Sequence, residues 1–259
     1  MHEILEFPGL LRLIDERSTA FRSAIASAPS LDVRVPTCPE WTLLDLVRHL
    51  GEGRRAWAAT ITAGPDATAK AAPEGAPAMP QDREALLAWL AASTQELLDA
   101  LREAGPERGC WTWWGSSQSP RTCGAVARHQ LQEIAVHTYD AQLTVGAPEP
   151  LPEEVALDGA EEFLSTCCTT RSAWPYEPTA FDFHATEDRT WRLTTDGDGA
   201  RVARVPAPGT TPAAAVGASV HGTASDLVLF MYDRIPLASM KTEGDPALID
   251  RLRGWEFEG

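Results

Sequence analysis

Long apolar runs and a secretion leader are both missing from the sequence. No apolar stretch approaches the roughly 20 residues needed to span a bilayer. The N-terminus carries Glu3 and Glu6 and has no signal-peptide core. The five cysteines are odd in number and show no paired metal-ligand spacing, which fits reduced, intracellular thiols. We therefore expect a cytoplasmic protein.

Positive charge is also scarce. The chain has 22 Lys and Arg against 37 Asp and Glu, a formal net charge of −15 at pH 7. This balance argues against nucleic acid and against an anionic membrane surface as partners. The 259 residues, of which 44% are hydrophobic, suit one large or two small globular domains. The richness in Ala, Gly, Pro, Arg and Trp is typical of a GC-rich, actinobacterial source.

Apolar residues at helical spacing predict four helices in the first part of the chain. They cover about residues 8–28, the segment that follows Thr42, residues 83–104 and residues 122–146. Thr42 and Asp45 resemble a capping box, while Thr122 and Gly146 suit the two ends of the fourth helix. Residues 29–41 are interpreted as a loop. Four helices joined by loops predict a helical bundle.

The periodicity changes in the second part of the chain. A proline-rich linker after Gly146 is followed by a predicted helix over 153–170. Strands are then predicted around Phe181 and Phe183, over 191–195, over 201–205 and over 214–221, with helices over 223–234 and 246–253. The sequence thus predicts an α+β protein of two domains. Residues 1–147 form a four-helix bundle, and residues 153–259 form a small α+β domain with an antiparallel sheet.

Three residues on the second and fourth predicted helices suit a metal site. Glu133 and His137 are four residues apart, so they lie on one helix face. His49 on the second helix adds another imidazole, although a lone histidine there is more often a core residue. Two imidazoles and one carboxylate match the ligand set of a catalytic zinc site with open positions, and nickel takes the same ligands. His129 either extends this polar stripe or is solvated.

Two further residues near this site are open to more than one interpretation. Cys38 lies eleven residues before His49, and because most of that interval is predicted helix, the distance would be of order 15 Å. We therefore interpret Cys38 as structural. Asp140 follows His137 by one helical turn and either orients its imidazole or is solvated. The tryptophans Trp111, Trp113 and Trp114 either line a pocket or cover an end of the bundle.

Several motifs together resemble those of a known enzyme family. They are Val35-Pro-Thr-Cys-Pro-Glu-Trp-Thr, Asp45-Leu-Val-Arg-His-Leu-Gly51, Cys110-Trp-Thr-Trp and Glu133-Ile-Ala-Val-His-Thr-Tyr-Asp140. This set resembles the mycothiol-dependent maleylpyruvate isomerase family, whose N-terminal domain is a DinB-like metal-binding four-helix bundle. The stretch from Val220 to Arg234 resembles that family's second domain, which is similar to sterol-carrier-protein folds. Gln132, directly before Glu133, departs from the commoner family pattern.

The resemblance implies specific roles. His49, Glu133 and His137 would bind a divalent metal, zinc or nickel, and mycothiol would be the thiol cosubstrate. Arg234 would be a catalytic residue that holds a substrate carboxylate, unless it pairs with an acidic residue instead. The implied activity is that of an isomerase or an S-transferase on a small, electrophilic, carboxylated substrate. The implied partners are therefore a small-molecule substrate and a low-molecular-weight thiol, for a chain that is a monomer or a homodimer.

Two other functions remain open on the residues alone. The same ligands could activate a metal-bound water, which would make the protein a metal-dependent hydrolase. A non-catalytic metal- or ligand-binding protein is the third possibility. An enzyme is favoured because a structural zinc would need a fourth protein ligand.

Overall fold

The computed structural model describes residues 5–73, 75–205 and 215–255. The chain divides into two compact units. One, the helical unit, comprises Met1–Thr112 and Arg121–Leu151, and the other, the sheet unit, comprises Trp113–Pro120 and Pro152–Gly259. In the described part of the chain, no helix is both long enough and apolar enough to cross a membrane.

Four long helices make up the helical unit. They are α1 (Phe7–Ser27), α2 (Leu43–Ala63), α3 (Arg83–Ala104) and α4 (Cys123–Thr144). The predicted caps explain their starts: Thr42 and Asp45 form a reciprocal capping box, and Thr122 accepts a hydrogen bond from the Ala125 amide. Helix α1 packs mainly on α4, and α2 packs mainly on α3. The predicted four-helix arrangement is confirmed.

A short β-hairpin precedes α2, where only a loop was predicted. Its strands are β1 (Arg34–Val35) and β2 (Cys38–Thr42), which pair antiparallel. Val35 is completely buried and anchors the hairpin in the core. The Leu43 and Leu44 amides donate to the carbonyls of Val33 and Leu31, so this segment folds back along the start of α2. The hairpin brings residues 37–41 beside the helices.

The sheet unit contains one five-stranded sheet with helices. In chain order the elements are α5 (Glu153–Cys167), β3 (Thr179–Ala185), β4 (Arg189–Asp196), β5 (Gly199–Arg204), β6 (Val216–Gly222), α6 (Ala224–Met231), β7 (Lys241–Gly244) and α7 (Pro246–Arg253). The strand order is β5-β4-β3-β6-β7. Phe181, Trp191, Leu193 and Val220 are buried, and helices α5, α6 and α7 pack on the sheet. The α+β class is confirmed.

The sheet differs in two respects from the antiparallel sheet predicted. Strand β7 was not predicted, because Lys241–Gly244 carries no apolar alternation. Strands β3 and β6 pair in parallel, with Phe181 opposite Ala218 and Phe183 opposite Val220, whereas the other three pairs are antiparallel. Alternation of apolar residues has a period of two in either direction, so it cannot reveal how two strands are oriented. The sheet is therefore mixed.

The parallel pair places two histidine rings in contact. His184 and His221 are directly paired, and their rings stack with centroids 4.4 Å apart. The other polar groups that act on His184 include Thr190, Asp182, Arg192 and Glu243, and Glu243 in turn pairs with Lys241. Burial, and then the charge of His221, lower the pKa of His184 despite the opposing carboxylates. His184 therefore binds its proton less tightly in the folded chain than in the unfolded chain.

We expect this difference to make the protein less stable in mild acid. The neutral form of His184 contributes fully to the free energy of unfolding above about pH 6.5, the pKa of histidine in the unfolded chain. That contribution is lost as the pH falls toward the lower pKa of His184 in the folded chain. The melting temperature should thus fall less in His184→Gln than in wild type between pH 7.5 and pH 5.5, by a few degrees at most. Thermal melts of both proteins test this, and equal falls would contradict it.

Candidate metal centre

The helical unit brings the three predicted ligand residues together. His49 projects from α2, and Glu133 and His137 project from α4, with ligand atoms that all lie within 4.8 Å of one another. His49 Nε2 lies 2.6 Å from Glu133 Oε1, and His137 Nε2 lies 3.7 Å from the same oxygen. The two imidazoles meet edge-on, with centroids 5.1 Å apart. In the described residues, no other group of three such side chains is placed to hold a metal ion.

The site is enclosed on the α4 side and open on the α2 side. The side chain of His137 is 10% exposed, whereas that of His49 is 38% exposed. Three protein ligands with one accessible side leave room for an exogenous ligand, as catalytic sites require. The donor set of two imidazoles and a carboxylate suits zinc and nickel. The residues present therefore fit a divalent metal.

The electrostatics of the three residues also fit metal binding. Burial acts to raise the pKa of Glu133, but hydrogen bonds with His137 and His49 hold that pKa well below its usual range. Burial acts to lower the pKa of His137, but contacts with Asp140 and Glu133 outweigh it and raise the pKa to about 9. Without a metal, His137 is thus protonated at neutral pH and its charge offsets the carboxylate. Metal binding must displace that proton, so metal affinity rises with pH.

Asp140 orients the imidazole of His137 through a hydrogen bond to the ring nitrogen that faces away from the site. Its side chain is completely buried, and its Oδ2 accepts a hydrogen bond of 2.8 Å from His137 Nδ1. Its Oδ1 accepts a hydrogen bond of 2.6 Å from the Thr37 hydroxyl on the hairpin turn. Because Nδ1 carries the proton, Nε2 is the ring nitrogen that faces Glu133 and the site. Of the two interpretations of Asp140, the structure supports the orienting one.

Cys38 lies much closer to this site than its sequence position suggested. Its Sγ is 3.9 Å from the same Asp140 oxygen that accepts the bond from His137. The estimate of about 15 Å was wrong because it assumed a chain extending along the axis of α2. The hairpin instead folds Cys38 back against α4. The thiol is half-buried and weakly hydrogen-bonded to a residue that supports a candidate ligand.

Trp41, which was not predicted as a site residue, packs against both imidazoles. Its ring lies 4.8 Å from that of His49 and 6.1 Å from that of His137. Trp41 directly precedes the Thr42 cap of α2, so the capping box fixes its position. Trp41 belongs to the Cys-Pro-Glu-Trp-Thr motif, and this position could have marked it as a site residue. The motif alone, however, does not show where the ring points. The indole forms one apolar wall of the candidate centre.

The remaining residues singled out in the sequence lie elsewhere. His129 packs edge-on to Trp57 and is outside the ligand group. Trp111 also packs on Trp57 in the helical unit, whereas Trp113 and Trp114, which belong to the sheet unit, contact each other. Trp113 is largely exposed and Trp114 is buried.

Arg234 lies beyond the end of its helix. Helix α6 ends at Met231, three residues earlier than predicted, because Asp233 adopts a left-handed conformation with φ of 62°. The Arg234 amide donates to the Leu229 carbonyl, and its guanidinium donates to the Tyr232 carbonyl at 2.6 Å. The side chain is half-buried. These contacts hold both the backbone and the guanidinium of Arg234 at the turn that follows α6.

We expect Asp140→Asn to weaken metal binding by about 10- to 100-fold, the usual cost of losing a hydrogen-bond partner of a ligand. The amide keeps the shape but removes the negative charge that favours a proton on His137 Nδ1. Competition of the purified variant with a chromophoric zinc chelator measures the change. Thr37→Val, which removes the bond to the other oxygen, should cost less. An unchanged affinity in Asp140→Asn would show that the aspartate does not support the ligand.

The fold and site define an α+β protein of two units whose helical unit carries a three-ligand candidate metal centre. Comparison with protein families assigns both parts of the chain to one family. The sequence model of the mycothiol maleylpyruvate isomerase N-terminal domain matches residues 11–142, and that of the C-terminal domain of the same family matches residues 154–251. The chain therefore belongs to the mycothiol maleylpyruvate isomerase family, which is a family of enzymes. The predicted resemblance is confirmed.

Solved structures agree with this assignment at the level of the fold. A histidine-to-alanine variant of the mycothiol-dependent maleylpyruvate isomerase matches with a TM-score of 0.59 and 14% identity, over 92% of this chain and 93% of that chain. The same enzyme without that substitution matches with a TM-score of 0.55 and 15% identity, over the same shares. No curated protein sequence matches the chain significantly.

Proposed function

We propose that this chain is a metal- and mycothiol-dependent isomerase of a small, electrophilic, carboxylated substrate. The observation that carries the proposal is the His49, Glu133 and His137 group, open on one side, in a chain of this family. The proposed domains are residues 1–147 and 153–259, and the proposed location is the cytoplasm. The family matches, which stop at residue 142 and resume at residue 154, support that division.

The chain's own residues have distinct tasks in this proposal. His49, Glu133 and His137 would hold zinc or nickel, which when bound supplies a Lewis acid that lowers the thiol pKa from its usual value of about 8.5. Asp140 retains the Nδ1 proton of His137, so that Nε2 faces the site. Trp41 keeps water from one side of the imidazoles. The exposed side of His49 leaves access for the thiol.

The thiol itself accounts for isomerisation. Its sulfur adds to the activated carbon–carbon double bond, which becomes a single bond and can rotate. Elimination of the thiol then restores the double bond in the other configuration. If the adduct were released before elimination, the same residues would give an S-transferase. The proposal favours the isomerase because that is the activity in the family's name.

Assay of the metal-loaded protein with maleylpyruvate and mycothiol tests the proposal. We expect conversion to the trans isomer to require both the metal and the thiol, with no net consumption of thiol. The change in absorbance of the substrate measures this conversion. Accumulation of a sulfur adduct would instead indicate an S-transferase. Hydrolytic cleavage of the substrate without any thiol would favour a hydrolase. Metal binding without turnover of any electrophile tested would favour a non-catalytic protein.

We also propose that Arg234 holds the substrate carboxylate through a charge-assisted, bidentate contact. Arg234→Lys keeps the charge but loses the planar fork, so kcat/KM should fall by about 10- to 100-fold. Metal content and melting temperature should not change. The matched control is Arg251→Lys, since Arg251 packs over Tyr176 and should tolerate lysine. Equal kinetics for wild type and Arg234→Lys would remove Arg234 from the mechanism.

A further inference from the structure

Cys110 and Cys123 come together at the start of α4, where the loop between residues 110 and 123 closes on itself. The Cys110 amide donates to the Arg121 carbonyl at 3.0 Å, and the Cys123 amide donates to the Arg108 carbonyl at 2.8 Å. Together with the antiparallel bridge between Gly109 and Thr122, these bonds hold the two segments side by side. Both cysteines lie on the same side of this short ladder. They are close enough that each thiol shifts the pKa of the other. Both side chains are buried.

The two thiols are chemically unequal. The hydrogen bond from Cys110 lowers the pKa of Cys123, and the Arg108 charge adds to this against the effect of burial. Cys123 is also the first residue of α4, where unpaired amides favour a negative charge. The same hydrogen bond, together with burial, raises the pKa of Cys110. One sulfur is therefore suited to attack as a thiolate while its neighbour still carries its proton.

We propose that Cys110 and Cys123 are a redox modification site at which the chain forms a reversible intramolecular disulfide. The site is separate from the metal centre and does not depend on the proposed isomerase activity. Disulfides of intracellular proteins are usually transient and redox-sensing, and the adjacency of these two thiols suits that use. Two of the other cysteines are in different surroundings: burial raises the pKa of Cys168 to about 12, and Cys38 is hydrogen-bonded to a carboxylate.

The reaction balances with hydrogen peroxide as the oxidant. The Cys123 thiolate attacks one peroxide oxygen, an S–O bond forms, the O–O bond breaks, and the departing hydroxide takes a proton to become water. The Cys110 sulfur then attacks the sulfenic sulfur of Cys123, forming the S–S bond and breaking the S–O bond. The second hydroxide leaves with the Cys110 proton as water. The two thiols lose two electrons in total, and the peroxide is reduced to two waters.

Burial and loop length set the expected behaviour. Cys110 is 3% exposed and Cys123 is 0% exposed, so oxidation should be slow, and a small oxidant such as peroxide should react faster than bulky disulfides. A link between residues 110 and 123 closes a short loop and restricts the unfolded chain. The oxidised protein should therefore melt several degrees higher than the reduced protein, and dithiothreitol should reverse the change.

Peptide mapping of the full-length wild-type protein tests the proposal directly. After peroxide treatment, the protein is alkylated in denaturant and digested with trypsin. We expect a cross-linked product of peptides 109–121 and 122–128, two hydrogens lighter than their sum and absent after reduction. The number of alkylated cysteines should fall from five to three. This measurement needs no variant to fold.

Variants then separate this pair from general oxidation. Cys110→Ser should abolish the cross-link and leave a sulfenic acid on Cys123 that dimedone traps, whereas Cys168→Ser should form the cross-link as wild type does. Two results would overturn the proposal. One is full alkylation of Cys110 and Cys123 at a peroxide dose that oxidises Cys38. The other is cross-links among other cysteines in equal yield.

Discussion

Replacing His137 with alanine is expected to empty the metal centre and to reduce turnover by more than about 100-fold. The imidazole is the most buried of the three candidate ligands, and Asp140 fixes its orientation. Losing only the hydrogen-bond partner of a ligand already costs 10- to 100-fold, so losing the ligand itself should cost more. Elemental analysis of the purified protein gives the metal content, and far-UV circular dichroism checks that the helices remain.

The matched control for this change is His129→Ala. His129 lies on the same helix, two turns before His137, and packs on Trp57 outside the ligand group. We expect His129→Ala to keep one metal per chain and to keep most of its turnover. If His137→Ala and wild type contain equal amounts of metal, the assignment of the centre is wrong.

A second large effect is expected at Gly51, two residues after His49 on α2. A Cβ at this position would overlap the six-membered ring of Trp89. That ring cannot easily move, because its Nε1 donates to the Pro77 carbonyl at 3.0 Å and the Arg55 guanidinium covers its face at 4.4 Å. Gly51→Ala should therefore reduce the free energy of unfolding by about 1–3 kcal/mol, the usual cost of overpacking.

The neighbouring Gly53→Ala should act in the opposite direction. Apart from its chain neighbours and the adjacent backbone of α2, no atom of the described residues lies within 4 Å of a Cβ at Gly53, and the residue is inside the same helix. Alanine there should add about 0.5–1 kcal/mol, because glycine loses more backbone freedom on folding. Urea denaturation of both variants measures the two changes. A Gly51→Ala protein as stable as Gly53→Ala would show that α2 and α3 are not packed this closely.

The features that the sequence predicted well are those that short-range chemistry determines. Helix α3 begins and ends at the predicted residues, because Asp82 caps its start and Gly105, with φ of 74°, follows its end. The spacing of Glu133 and His137 on one helix face is likewise a local property. The structure then places His49 beside them, as the family resemblance implied.

The features that the sequence did not predict depend on contacts between distant segments. Cys38 was placed wrongly because nothing in residues 29–41 shows that the chain folds back as a hairpin. Trp41 was overlooked for the same reason, since its role depends on rings from two helices. The parallel pairing of β3 and β6 was missed because apolar alternation carries no information on strand direction.

The contacts that build the centre have a consequence for the time at which it can form. The hydrogen bond between Thr37 and Asp140 joins residues 103 positions apart, and that between His49 and Glu133 joins residues 84 positions apart. A ribosome adds about 5–20 residues each second, so roughly 5–20 s separate the synthesis of the hairpin from that of Asp140. During this interval the α2 histidine has been made but its partners have not. In the proposed function, a metal could therefore meet all three candidate ligands only after α4 has left the ribosome.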